Sequence, residues 1–272
     1  MTNLIYQVWV GDTRPGVDYS IENIKNYADR IGADYYFDHN PTYGQRMSGV
    51  SKGYYDWMNP IFQKKYDKYD TIAVLDCDIY APDNMNDNIF DVEIKDFGIC
   101  TEPMQPKFRA INPNARIGKN ADEKWSKVVK KVWGIDLPRD EDNLLKVYNA
   151  GMVLFSKQGR IKARENFVPF KEYIQKIRQF GMDRFYWLDQ NYFHSMMVGF
   201  SDYTEIDNDW NALLHYHGTR DKNAKGPAYG REVNDPRNEN TKLVHVQLSE
   251  ADHYNSNVLY RIINLPQNEW KF

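Results

Sequence analysis

Apolar and polar positions follow two periods along the first hundred residues. Residues 4–10 carry the dense apolar pattern of a strand, closed by Gly11-Asp12. Ile21, Ile24, Ala28 and Ile31 come next at helical spacing, and Gly32 stands where a left-handed glycine ends a helix. Residues 33–37 read as a second strand. A polar loop is expected over 43–50, then a helix over about 51–69 that leads into a third strand. The order β-α-β-α-β predicts a parallel sheet.

The second half is less regular. Residues 97–101 read as a strand, and 102–120, rich in Pro and Asn, as a loop. Trp125, Val128, Val129, Val132 and Trp133 share one helical face. Residues 147–155 predict a bent strand or a strand pair, and 159–180 a long helix with Phe167, Phe170, Ile174 and Ile177 inward. A shorter helix is expected over about 187–198, a long polar loop over 219–240, and a last strand over 242–248. There is no internal repeat and no linker-like stretch, so a single domain is expected.

The third strand ends in chemistry. Ile72-Ala73-Val74-Leu75 runs into Asp76-Cys77-Asp78. Four apolar residues in a row fit a strand buried on both faces. Residues two apart on an extended chain share a side, so both carboxylates are expected to converge. Converging acids repel unless a cation lies between them. Oxygen ligands suit Mg²⁺ or Mn²⁺, which also bind phosphates. Ligands of open α/β sheets sit at such strand ends. An acidic surface turn is the plain alternative for the same three residues.

Composition narrows the classes. The 272 residues suffice for one large α/β domain, and 42% hydrophobic with 27% charged residues is ordinary for a globular protein. A net charge of −3 without a basic stripe excludes a typical nucleic-acid binder. Aromatics reach 15%, with 20 Tyr and 7 Trp, which suits either sugar stacking or core filling. Cys77 and Cys100 are too few for a disulfide framework and point to a reducing compartment. No apolar run approaches the ~18 residues of a membrane span, and the start lacks a basic leader, so a cytoplasmic location is expected.

Neither a G-x-G-x-x-G nor a P-loop is present, so a bound nucleotide would need another counter-charge for its phosphates. A metal on Asp76 and Asp78 would supply it, with a histidine as third ligand. His215, His217 and His245 are each able to serve, and each also reads as a hydrogen-bonded structural histidine. Asn149-Ala150-Gly151 precedes a buried apolar run, and Asp189-Gln190 opens a helix among aromatics. On composition alone these are a turn and a helix cap.

Taken in order, Asp-x-Asp, Asn-Ala-Gly before a strand, Asp-Gln opening a helix and a late strand with His resemble the GT-A-fold glycosyltransferases. The nearest likeness is to metal-dependent retaining enzymes: the glycogenin and bacterial galactosyltransferase group, and the plant and yeast galactosyl- and xylosyltransferase group. Tyr27-Ala28 and Gly32-Ala33-Asp34-Tyr35 resemble a stretch common in their first βαβ unit. The resemblance spans residues 4–248. It implies one mixed, mostly parallel sheet flanked by helices, with a nucleotide-binding half over about 1–100 and an acceptor-side half over about 101–272.

The resemblance also implies roles. Asp76 and Asp78 would hold Mn²⁺ or Mg²⁺ and touch the donor's ribose and diphosphate. Tyr6, Val8 and Trp9 would line the base pocket, and Lys52 would face the nucleotide. Asn149 and Asp189 would contact donor sugar or acceptor, with Gln190 near the anomeric carbon. His215-x-x-Gly218 begins the family's His-x-x-Gly-x-x-Lys pattern, but the lysine falls one late, at Lys222, and His215 follows Trp210-Asn211 too closely. His245 lies at the expected place without that glycine and lysine, and the order of segments favours it. Lys222 or Arg220 is left as the second counter-charge.

The reaction that the resemblance implies is transfer from a nucleotide-sugar, expected to be UDP-linked, to a hydroxyl of a glycan, protein or small molecule. Retention fits because no motif fixes Glu205, Asp207 or Asp209 as a base over the sugar; Asp189 is a nucleophile or an electrostatic stabiliser. Three rivals share parts of the pattern. A phosphatase with an Asp-x-Asp nucleophile usually carries it near the chain start. A nucleotidyltransferase usually has a basic glycine loop, of which residues 11–16 are a faint echo. A sugar-binding protein without turnover would not need the metal and sugar-contact residues kept here.

Overall fold

The structure, a computed structural model, describes residues 2–50, 53–217, 223, 230–248 and 251–270. Strand β1 (Asn3–Trp9) leads through helix α1 (Pro15–Ile31) to β2 (Asp34–His39). Gly32 takes φ 69°, and its N–H closes on the last turn of α1, as the pattern predicts. Then come α2 (Tyr43–Ser48), the single turn α3 (Asn59–Phe62), β3 (Thr71–Leu75), β4 (Ile79–Tyr80) and β5 (Phe97–Thr101). Helices α4 (Gln105–Ile111) and α5 (Lys119–Trp133) precede the long β6 (Tyr148–Ser156). Helices α6 (Lys157–Asn166), α7 (Phe170–Gln179) and α8 (Asp189–Phe200) follow, then β7 (Tyr203–Glu205), β8 (Ala212–His217), β9 (Glu232–Asn234), β10 (Val244–Gln247) and α9 (Ser256–Asn264).

The main sheet has the order β2-β1-β3-β6-β5-β7, and only β6 runs against the rest. It is the mixed, mostly parallel sheet that was expected. Alternate residues feed opposite faces. Tyr6, Val74, Val153 and Phe155 pack against α5 to α8 on one side. Ile5, Leu75, Met152 and Leu154 pack on the other side, where α1 supplies Ile24, Tyr27 and Ala28. A second sheet, β4-β10-β8-β9, was not foreseen; it covers α9 with a core of its own. No helix among the described residues is long and apolar enough to cross a membrane. Both cysteines are buried and free.

Four expected elements need correction, and over 147–155 the choice between a bent strand and a strand pair is decided. Residues 43–50 are not a loop: α2 forms there because the distant Asp56 carboxylate accepts from Gly44 N–H at 2.7 Å. The stretch 51–69 is not one helix. It breaks into short turns around α3, because Pro60 can only start a helix and Gln63 is extended at ψ 115°. The loop over 102–120 contains α4, with Pro106 in its first turn, where proline belongs. The helix over 159–180 is two helices, because Pro169 excludes the helical conformation just before it. Residues 147–155 are one strand whose register against β5 slips between Ile99 and Cys100.

Candidate active site

The run from Ile72 to Tyr80 crosses from one sheet to the other. β3 ends at Leu75 in the main sheet, and β4 starts at Ile79 in the small one. The residues between form a turn closed by Ile79 N–H on the Asp76 carbonyl at 3.1 Å. Hydrogen bonds to its own main-chain groups pin this turn on three sides. Asp76 N–H donates to Gly151 C=O on β6 at 2.7 Å, and Val246 N–H on β10 donates to Asp78 C=O at 2.8 Å. From β1, the buried Gln7 amide donates to the Asp76 carbonyl at 3.1 Å, with its own oxygen held by the Tyr35 hydroxyl.

Asp76 and Asp78 therefore converge through a turn and not through the extended spacing expected of a strand. With His245 they form a cluster whose ligand atoms lie within 4.8 Å of one another, a geometry able to hold a metal ion. At that spacing two carboxylate charges repel by about 3 kcal/mol at the effective dielectric of a protein site. Burial, then the neighbouring Asp78, pushes the Asp76 carboxyl up to about 7. Burial opposes charge on His245, but the facing Asp78, then Asp76 and Glu102, raise it on balance. His245 Nε2 lies 3.1 Å from Asp78 Oδ1, yet neither buried atom makes a hydrogen bond. A buried imidazole nitrogen and a carboxylate oxygen that face each other without a hydrogen bond fit a missing cation.

Behind His245 runs a chain of buried amides. His245 Nδ1 is 3.0 Å from Asn211 Oδ1, and Asn211 Nδ2 donates to Asn149 Oδ1 at 2.9 Å. That oxygen also accepts from Gly151 N–H at 2.9 Å, while Asn149 Nδ2 donates to Glu102 Oε1 at 2.8 Å. Burial raises the Glu102 carboxyl above its ordinary value. Asn211 ends the short turn Asn208–Asn211 before β8, and Glu102 follows β5 directly.

The acidic turn opens into a cleft of about 620 Å³. Val8 and Trp9 from the end of β1 line it, with Asp76, Asp78 and Asp189. Asp189, in the first turn of α8, accepts from the Trp57 indole N–H at 2.7 Å. Burial lifts its carboxyl to about 6, and the Trp57 hydrogen bond pulls the other way.

The remaining expected residues lie elsewhere. Tyr6 is fully buried, and its hydroxyl donates to Asp38 at 2.6 Å, because its position in β1 faces the helix side of the sheet. Asn149 spends its polar atoms on the amide chain. Gln190 lines a small neighbouring hollow with Arg109 and His194. His215 and His217 pack on the Phe108 ring, and neither joins the acidic cluster. Lys52, Lys222 and Arg220 lie outside the described residues.

Sequence reasoning missed Trp57, Gln7 and Glu102, and it took Asn211 only as part of the Trp210-Asn211 turn. Glu102 had a usable signal: it is a carboxylate just past an apolar strand, as Asp76 is. Trp57 and Gln7 had none, because their partners lie 132 and 69 residues away.

No protein-family model matches the chain, and no curated protein matches it. Solved structures do. One is a glycosyltransferase involved in glycosylating the major capsid of the virus PBCV-1, at 13% identity over 78% of this chain and 85% of that one, TM-score 0.42. A second is the galactosyltransferase LgtC in complex with donor and acceptor sugar analogues, at 10% identity over 98% of both chains, TM-score 0.44. A third is the glycosyltransferase GlyE of Streptococcus pneumoniae TIGR4, at 9% identity over 78% of this chain and 46% of that one, TM-score 0.39.

Proposed function

We propose that this chain is a metal-dependent glycosyltransferase that moves a sugar from a UDP-sugar to a hydroxyl acceptor, with retention at the anomeric carbon. The observation that carries the reading is the cluster of Asp76, Asp78 and His245, whose two acids line a cleft together with the end of β1. Two carboxylates suit Mn²⁺ or Mg²⁺, the added imidazole favours Mn²⁺ of the two, and such a cation neutralises the charge that builds on a departing diphosphate.

The protein's own groups divide the remaining work. Val8 and Trp9 offer an apolar face to the base. Asp189, ionised above about pH 6, places negative charge where an oxocarbenium-like sugar develops positive charge. The Trp57 N–H holds that carboxylate in one orientation. Retention is supported by the fate of the other acids. Glu205 is taken by Lys146 and the Tyr148 hydroxyl, Asp207 caps a turn, and Asp209 accepts from Asn238. None of the three lines the cleft, so the acceptor lacks a dedicated base from this set and same-face attack is the simpler course.

UDP release from a panel of UDP-sugars, with Mn²⁺ and with excess EDTA, tests the reading. Metal-dependent release from at least one donor is expected, and NMR of the first product should show the donor's anomeric configuration. Hydrolysis of a simple phosphate ester without UDP release would overturn it in favour of a phosphatase.

A further inference from the structure

The direction of every hydrogen bond behind His245 follows from one backbone group. Gly151 N–H can only donate, so the Asn149 atom 2.9 Å away is the oxygen. That oxygen faces Asn211, whose nearer atom must then be the amide nitrogen, at 2.9 Å. The Asn211 oxygen is left for His245, and Nδ1 at 3.0 Å must carry a proton to satisfy it. Turning either amide over would set oxygen against oxygen or N–H against N–H in a buried site. Glu102 anchors the far end by accepting from Asn149 Nδ2 at 2.8 Å. With Nδ1 committed, Nε2 is the nitrogen that faces Asp78, and it makes no hydrogen bond.

We propose that Asn211 is the positioning residue of the metal centre: it fixes His245 as the Nδ1–H tautomer and leaves the Nε2 lone pair aimed at the cation shared with Asp76 and Asp78. The proposal deepens the metal-dependent reading above and rests on it for the identity of what Nε2 binds. Histidine ligands generally donate their second ring N–H to such a partner, which orients the ring and raises its basicity. Here the partner is neutral, so it directs the ring without adding a further charge beside two carboxylates. Gly151 serves the same arrangement by leaving space: a Cβ there would lie 2.4 Å from His245 Cε1.

The test reads the tautomer first, in metal-free wild-type protein labelled with ¹⁵N. Two-bond ¹H–¹⁵N spectra are recorded at alkaline pH, where the ring is neutral, and the His245 signals are assigned by their loss in His245→Gln. Protonated Nδ1 with bare Nε2 is expected; protonated Nε2 overturns the proposal. Folding of Asn211→Leu is checked by circular dichroism, and Mn²⁺ binding is then followed by electron paramagnetic resonance. Affinity should fall about ten- to hundredfold. Equal Mn²⁺ affinity in folded Asn211→Leu and wild type overturns the proposal. A wild-type protein with the Nδ1–H tautomer that takes up no Mn²⁺ supports the relay and overturns the metal reading instead.

Discussion

Trp57 donates its indole N–H to Asp189 Oδ2 at 2.7 Å, joining a short turn after α2 to the first turn of α8 across 132 residues. The bond favours the ionised carboxylate, against burial that lifts it to about 6. Trp57→Phe removes the donor and keeps a ring against Phe155 and Phe193. With the donor gone, the Asp189 carboxyl rises further. The acid limb of UDP-sugar turnover should therefore move to higher pH, with the rate at alkaline pH less affected. An unmoved acid limb would detach Asp189 from the reaction.

Metal binding should separate the three histidines. His245→Ala removes a ligand atom of the cluster and should weaken Mn²⁺ binding at least tenfold, as should Asp78→Ala. His215→Ala and His217→Ala lose packing on Phe108 and local contacts to the Leu213 carbonyl and to Glu232, none of them in the acidic cluster, and should stay near wild type in Mn²⁺ binding. Titration calorimetry with Mn²⁺ decides it, and a His215 variant weaker than the His245 variant would relocate the third ligand.

Gly151→Ala tests space. Its Cβ would meet the His245 ring at 2.4 Å and Asn149 Oδ1 at 2.8 Å. Neither neighbour is a free side-chain end, since the amide chain holds both. Overpacking of this kind costs about 1–3 kcal/mol. A lower melting temperature together with impaired Mn²⁺ binding is expected; a stable variant that binds Mn²⁺ normally would show that β6 can retreat.

How much of this was legible beforehand depends on where each partner lies. Gly32 ending α1 and the buried run before Asp76 are local patterns, and local chemistry decides them. The convergence of Asp76 and Asp78 was anticipated for a wrong reason, because the carboxylates meet through a turn between two sheets. The small sheet was invisible because its strands are two to six residues long and pair across most of the chain. Asn149 looked like a sugar contact, since only the folded chain shows Glu102 and Asn211 using up its amide. Proline misled in one place and was ignored in another: Pro106 starts α4, and Pro169 divides the helix that had been read as continuous.

Acid stability has a separate source. His194, buried on α8 between Trp125 and Tyr148, has its ring held down to about 3 by burial and by Arg109, against an ordinary 6.5. Below 6.5 the unfolded chain takes up a proton that the folded one refuses, so stability should fall from about pH 6.5 toward 3. The slope from one such group is at most about 1.4 kcal/mol per pH unit. His194→Phe should flatten urea-unfolding stability over that window; an unchanged slope would assign the acid sensitivity to other groups.

The Asp-x-Asp turn is held by main-chain groups: Asp76 N–H and C=O and Asp78 C=O make the bonds to β6, β1 and β10. Its two carboxylates are therefore excused from structural duty. Mutual repulsion and desolvation of these acids tax the folded state, but the fold does not depend on them for its shape. Stability and chemistry can then drift independently at this corner. Exchanging either acid should leave the backbone in place and even relieve it, so natural or engineered change can retune or extinguish the site while the scaffold persists.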